Sequence, residues 1–326
     1  MKCISCKSKL KKNNHIFYKN ISFPEIKFFN KLRIYRCVKC NFGFSYPFVP
    51  LNKLKLFYKN IAKNTNDAIS KNQHKYYYPD RIISLIVLAK FFINFSQEDR
   101  VIDFGPDFGD SFFVINKIIK NLKFDAIELN EKTYKNLNRL GVENIKKDLS
   151  WRFVAKKKYK LVIASHVMEH FNASKIKPIL LNLKKIITKN GYLLIEVPFD
   201  DILNKQNKLF EHTPHLCFFS IKSLTSFLLD CGYKIIYANH FGKERDSWWN
   251  ESQSNYVNGL YIGGKLNKFL IPFKKLLPQR VRIFLKRIIF FITLNVVKVD
   301  AYSILNSEYF CTGERRVAIR ILAQKM

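Results

Sequence analysis

Four cysteines stand in two C-x-x-C knuckles, Cys3 with Cys6 and Cys37 with Cys40. Two such knuckles, about thirty residues apart, can set four thiolates tetrahedrally around zinc, each tight turn giving two ligands. With all four positions filled by protein the site would be closed, holding the fold and doing no chemistry. The remaining cysteines, Cys217, Cys231 and Cys311, are scattered. An odd count, in a chain whose opening Met1-Lys2-Cys3-Ile4-Ser5-Cys6 lacks an apolar export signal, argues against a disulfide framework and predicts a cytoplasmic location.

A second group of reactive side chains falls where short apolar runs end. Asp103-Phe104-Gly105-Pro106-Asp107-Phe108-Gly109 follows one such run and opens a helical pattern, the setting in which a glycine turn lets backbone approach a ligand. Glu128 ends the next run, where an acid can take the two hydroxyls of a ribose. Asp148-Leu149 ends the third, where a carboxylate can accept from an adenine amino group. Three acids at three successive strand ends predict a nucleoside site.

The elements that would position these residues alternate from residue 100 onward. Strands are predicted over 100–104, 124–129, 144–147, 160–165, 192–197 and 234–238, with helices over 111–122, 131–140, 176–188 and 221–230. Such alternation implies an α/β fold, a Rossmann-like, doubly wound and mostly parallel sheet with helices on both faces. Upstream, 32–36 reads as a strand entering the second knuckle, 51–61 as a helix, and 79–95 as a buried helix starting at Pro79. The expected organisation is a small zinc ribbon over 1–60, a linker and buried helix over 61–99, the α/β domain over 100–242, an insertion over 243–313, and a last strand over 314–326.

Leu161-Val162-Ile163-Ala164-Ser165-His166-Val167-Met168-Glu169-His170, together with the Asn190-Gly191 turn before an apolar strand, resembles the class I S-adenosylmethionine-dependent methyltransferases over residues 80–242. The resemblance implies S-adenosylmethionine as cofactor. It places Asp103, Gly105 and Gly109 around the methionine moiety, Glu128 on ribose, Asp148 with Leu149 at adenine, and Ser165 and His166 at the edge of the methyl-transfer cleft. The family's mid-loop glycine is Asp107 here, which adds a side chain where backbone usually closes on the cofactor. A loop of this kind, behind a four-cysteine domain and a Tyr-rich segment such as Tyr76-Tyr77-Tyr78, is similar to that of the sugar C-methyltransferases.

In those enzymes the stretch after the fifth strand reads H-E-H-x-x-Y-F-S. Here Glu211-His212-Thr213-Pro214-His215-Leu216-Cys217-Phe218-Phe219-Ser220 matches the histidine at His215 but has Pro214 at the glutamate position. Abstracting a proton next to a ketone without that carboxylate is harder, whereas O-methylation asks only for a base near a hydroxyl and in-line geometry. His215, His170 and His212 are the candidate bases, each with packing or capping as the plainer role.

The chain has 326 residues and a formal charge of +32. Such a charge suits a polyanionic partner, but the surplus is 44 Lys against 13 Arg, with 29 Asn, which reads as codon bias more than as a phosphate-reading surface. An RNA methyltransferase using the ribbon and the basic surface is the alternative function, less favoured because no N-P-P-[YF]-type motif follows Ile163. The expected acceptor is a small molecule, a nucleotide-linked sugar or a surface-glycan precursor. Within the insertion, 265–299 carries nine basic residues and no acid among interleaved Phe, Leu and Ile. That composition fits either packing onto the domain or peripheral contact with an anionic membrane at its inner face.

Overall fold

A seven-stranded sheet forms the centre of the computed structural model, which describes residues 1–13, 29, 31–64, 79–119, 121–147, 157–199, 215–243 and 316–326. Its strands are β4 (Arg100–Phe104), β5 (Lys123–Ile127), β6 (Val142–Lys146), β7 (Tyr159–Ser165), β8 (Ile187–Pro198), β10 (Tyr233–Lys243) and β11 (Arg316–Lys325). They lie in the order β10-β11-β8-β7-β4-β5-β6. The pairings among β4 to β8 are parallel, and β11 alone runs against its neighbours, wedged between β8 and β10. This is the doubly wound sheet that the alternation predicts, and β10 and β11 close it as an antiparallel pair.

Period-two burial explains why both faces are covered. Ile102, Val162, Leu193 and Ile195 point into one apolar cluster, with helices α5 (Ile176–Ile186) and α6 (Ile221–Asp230). Their sequence neighbours Val101, Leu161, Ile163 and Leu194 point into the other, with α2 (Pro79–Phe92) and α3 (Asp110–Ile118). Each fully buried aliphatic side chain contributes about 1.5–3 kcal/mol.

Of the boundaries that differ from the sequence reading, two have plain local reasons. Helix α3 stops at Ile118, not Leu122, because Ile119 turns to extended backbone and Asn121 takes a φ of 60°. Strand β8 begins at Ile187, five residues before Tyr192, and its register against β7 jumps across the Asn190-Gly191 kink. Asn190 sits at φ 58°, and a Cβ on Gly191 would lie 3.0 Å from the Tyr159 carbonyl.

The cysteine unit is stitched into the domain instead of standing apart from it. Strands β1 (Leu10–Asn13), β2 (Arg33–Cys37) and β3 (Gly43–Tyr46) form an antiparallel sheet whose fourth strand is β9 (Cys217–Phe218), from far along the chain. Phe42 packs on Phe219 and Phe227 at ring distances of 5.4 and 5.2 Å. Helix α1 (Leu51–Asn64) follows, burying Leu54 and Phe57 with Leu216. Asp148, Leu149, His212, Pro214, Tyr76 to Tyr78, and the 244–313 part of the insertion with its basic stretch 265–299 lie outside the described residues. No helix among the described residues is long and apolar enough to cross a membrane.

Candidate active site

The chain runs outward from β4 to β5 and β6, then returns to β7 on the other side of β4. The strand order therefore reverses between β4 and β7, and the crevice at their carboxyl ends is where a doubly wound sheet binds ligands. Asp103, Gly105 and Gly109 lie at the end of β4, Glu128 just past β5, and Ser165 with His166 at the end of β7. The structure thus brings six of the expected residues to one edge.

Backbone conformation explains the loop after β4. Gly105, Asp107 and Gly109 all have positive φ, at 66°, 50° and 86°. A Cβ on Gly105 would come within 3.3 Å of Val167, and one on Gly109 within 2.8 Å of both Leu137 and Leu140. Asp107 keeps the left-handed turn because aspartate tolerates that region better than most residues. Its side chain is exposed, yet enough protein surrounds it to push the carboxyl up to about 6. Asp103 is buried and accepts a hydrogen bond from the Ser111 hydroxyl on α3.

Glu128 is buried, and its two oxygens accept from backbone N–H groups of Asn130 at 2.7 Å and Asp107 at 3.0 Å. Burial pushes its carboxyl up to about 7, with the Asp107 charge adding to the rise and the two backbone donors opposing it. Each oxygen keeps a lone pair, so a further donor such as a hydroxyl would be welcomed.

On the other wall, β7 gives way to a turn at His166, whose φ of 55° costs about 1–3 kcal/mol for a non-glycine residue. Its backbone N–H donates to the Glu196 carbonyl at 2.8 Å, and its ring faces the carboxylates of Glu196 and Glu169 at 3.3 and 3.6 Å. Glu169 and His170 follow on the 3-10 turn Met168–His170. His215 comes from the segment before β9, and its ring stands 5.2 Å from that of His170. Tyr58 of α1 closes on His170 from the other side, 5.5 Å between rings. His170 and His215, two of the three expected bases, are therefore together.

Two residues behind this wall escaped the sequence reading. Glu196 on β8 and Arg320 on β11 are directly opposed in the sheet, both fully buried, and joined by a bond from Nε to Oε2. Arg320 also donates to Ser84 at 2.8 Å and stacks on the Phe241 ring at 3.4 Å, while the Ser165 hydroxyl donates to Glu196 at 3.0 Å. A lone acid in Leu193-Leu194-Ile195-Glu196-Val197 and a lone base in Ala318-Ile319-Arg320-Ile321-Leu322 were the available signal. Neither charge could be buried without the other.

The four cysteines converge as two matched knuckles. In each, the residue after the second cysteine has positive φ, Lys7 at 64° and Asn41 at 59°, and its N–H returns to the first cysteine's carbonyl at 2.9 Å. Cys3 and Cys40 have their sulfurs 3.6 Å apart, Cys6 and Cys37 3.4 Å. Four Zn–S bonds of ~2.3 Å would space the sulfurs at about 3.8 Å, so the cage fits zinc with little adjustment.

Comparison with known proteins agrees with this geometry. A family profile described as a methyltransferase domain matches residues 73–238. Among solved structures, the Burkholderia thailandensis 1,6-didemethyltoxoflavin-N1-methyltransferase, with bound 1,6-didemethyltoxoflavin and S-adenosylhomocysteine, is 10% identical with a TM-score of 0.50, covering 91% of this chain and 96% of that one. The mycolic acid cyclopropane synthase CmaA1, complexed with S-adenosylhomocysteine and CTAB, is 12% identical with a TM-score of 0.45, covering 74% of this chain and 84% of that one. At 10% identity the likeness to the Burkholderia thailandensis enzyme is one of fold. No curated protein matches the chain.

Proposed function

The chain belongs to the class I S-adenosylmethionine-dependent methyltransferases, and on that premise we propose that it methylates a hydroxyl of a nucleotide-linked sugar or surface-glycan precursor. The observation that carries this reading is the imidazole pair His170 and His215, 5.2 Å apart between rings. It sets a proton-accepting pair past β7, at the same carboxyl edge of the sheet as Glu128 past β5.

The cofactor supplies an electrophilic methyl group on a sulfonium. Glu128 would accept from the two ribose hydroxyls, and Gly105 and Gly109 would let the loop backbone come close, while Asp103 braces that loop through Ser111. Asp148 and Leu149 are assigned to the adenine end, and Ser165 and His166 to the cleft's rim. In transfer to a hydroxyl, His215 would take the hydroxyl proton, with His170 or His212 as its alternates. Pro214 in place of the glutamate beside His215 favours transfer to oxygen over carbon. The sugar-class acceptor is supported by the four-cysteine unit and the His215 segment together, since β9 runs from the latter into the former's sheet. A structural zinc in the cysteine cage is part of the same proposal.

Replacing His215 with Gln tests the reading. Turnover on a sugar-nucleotide acceptor should fall about 10²- to 10⁴-fold while S-adenosylhomocysteine affinity stays within about twofold. Near-normal turnover in that variant would remove His215 from the proton's path.

A further inference from the structure

Glu169 places a carboxyl group in the interior without a hydrogen-bonded partner. It is 1% exposed, and neither carboxylate oxygen accepts a hydrogen bond. Ring nitrogens of His166 and His170 face it at 3.6 and 3.8 Å, too far for a hydrogen bond. Buried carboxylates of this kind are ordinarily paired, hydrogen-bonded or bound to metal.

One oxygen of Glu169 and one ring nitrogen each of His170 and His215 lie within 4.8 Å of one another. The two segments that carry them are sewn together, because the Leu216 N–H donates to the Glu169 carbonyl at 2.7 Å. Metal–ligand bonds of ~2.0–2.2 Å space such donors at roughly 3–4 Å, so small side-chain rotations close the set. We propose that Glu169, His170 and His215 form a second metal site, for a divalent ion of the zinc class.

The donor set selects that class. Two imidazoles and one carboxylate suit a first-row transition ion, whereas Ca(II) needs six or more oxygens and Mg(II) keeps mostly waters. Cys217, the nearest thiol in sequence, donates to the Phe171 carbonyl at 3.1 Å and is turned to that bond instead. Three protein ligands leave a coordination position open, in contrast to the closed cysteine cage. His170 and His215 are only partly buried, so that position can be reached from outside.

The use of the ion rests on the methyl-transfer reading. An acceptor hydroxyl on the open position would lose its proton at lower pH, so the ion would take over the role that His215 has in the metal-free protein. The proton would pass to solvent, and the two histidines would act as ligands.

The test is a zinc count on full-length protein equilibrated with excess Zn(II) and then desalted. Wild type should hold two zinc ions per chain, and Glu169→Gln and His215→Ala one each, with unchanged circular dichroism. His170→Ala, at a partly exposed position, replaces any variant that fails to fold. Co(II) added to protein whose cysteine cage is already filled with zinc should give weak visible bands without thiolate charge transfer, at least 100-fold weaker in binding for His215→Ala. A single zinc in wild type, or two in the variants, would overturn the site. S-adenosylhomocysteine titrated into the same samples separates the two ideas. Binding without a second metal sinks only the site, and a second metal without binding sinks only the methyl-transfer reading.

Discussion

Cofactor affinity should depend on pH through Glu128. Its carboxyl is pushed up from 4.5 to about 7, so near neutrality the free protein holds a proton there that ribose hydroxyls must displace. If only the ionised form binds, the dissociation constant scales as one plus the ratio of protonated to ionised carboxyl. That gives about elevenfold weakening at pH 6 and about 1.1-fold at pH 8, a tenfold difference. The charged neighbour is Asp107, with its own carboxyl near 6, while the Tyr134 hydroxyl donates to the Glu128 carbonyl at 2.7 Å and stays neutral, pushed up to about 12. Asp107→Asn should therefore move the midpoint downward. Methylthioadenosine is the suitable ligand, because it carries the ribose without an ammonium or carboxylate of its own.

Glu128→Gln should flatten the profile and weaken binding by about 1.5–3 kcal/mol at pH 8, because an amide can satisfy only one of the two backbone donors and meets the hydroxyls without charge. Stability gives an independent sign. A folded carboxyl raised above its unfolded value contributes stability that is complete below about 4.5 and lost as pH rises through about 7. The ceiling is about 3 kcal/mol, taken as the difference between wild type and Glu128→Gln melted at pH 5 and 8. Calorimetry showing a pH-independent wild-type affinity, or the same slope in the Gln variant, would refute the assignment of Glu128 to ribose.

Three further outcomes are expected. Cys37→Ser should release the zinc of the cysteine cage and lower the melting temperature, read by metal analysis and calorimetry; a full complement in the variant would contradict that cage. Arg320→Met leaves Glu196 buried without its cation and should cost about 3–5 kcal/mol in denaturant unfolding, largely restored by adding Glu196→Leu. Asp125, bound by Arg100 at 3.1 Å, Tyr159 at 2.9 Å and Asn144 at 2.6 Å, stands mid-strand on β5, three residues before Glu128. Asp125→Ala should cost about 2–4 kcal/mol while leaving cofactor affinity unchanged, and a loss of affinity would show that this network also positions Glu128.

Legibility in the sequence followed the range of the interaction. The parallel sheet shows in the apolar stretches Val101-Ile102 and Leu161 to Ala164, because strands covered on both faces carry few polar side chains. The acids at their ends stand out for the same reason, as the first polar residues after such a run. The Glu196–Arg320 pair is 124 residues apart in the chain, and no local pattern links the two. Strand β9 has two residues, too few for any periodicity, so its place in the cysteine unit's sheet could not be read. Glu169 is visible in Met168-Glu169-His170, but its burial depends on packing between segments that the sequence leaves unordered.

The crevice is built in two halves that draw on different stretches of the chain. The half that holds Glu128 hangs on β4 and β5, adjacent parallel strands in register from Arg100 to Phe104, with β7 paired along the other edge of β4 and Val167 set against Gly105. The acceptor half depends on distant chain. His215 precedes a segment held to the cysteine unit by Ser45 N–H to Leu216 carbonyl at 2.9 Å, by pairing of Phe44 with Cys217, and by the Ser220 hydroxyl on the Cys40 carbonyl at 2.6 Å. The same Ser220 caps α6 in a reciprocal pair with Ser223. Because Cys40 lies in one of the two knuckles, loss of zinc should loosen this wall first, raising the Michaelis constant for the acceptor and lowering turnover while cofactor binding persists. Titrating S-adenosylhomocysteine into Cys37→Ser protein distinguishes that order from a general collapse, in which both halves would fail together.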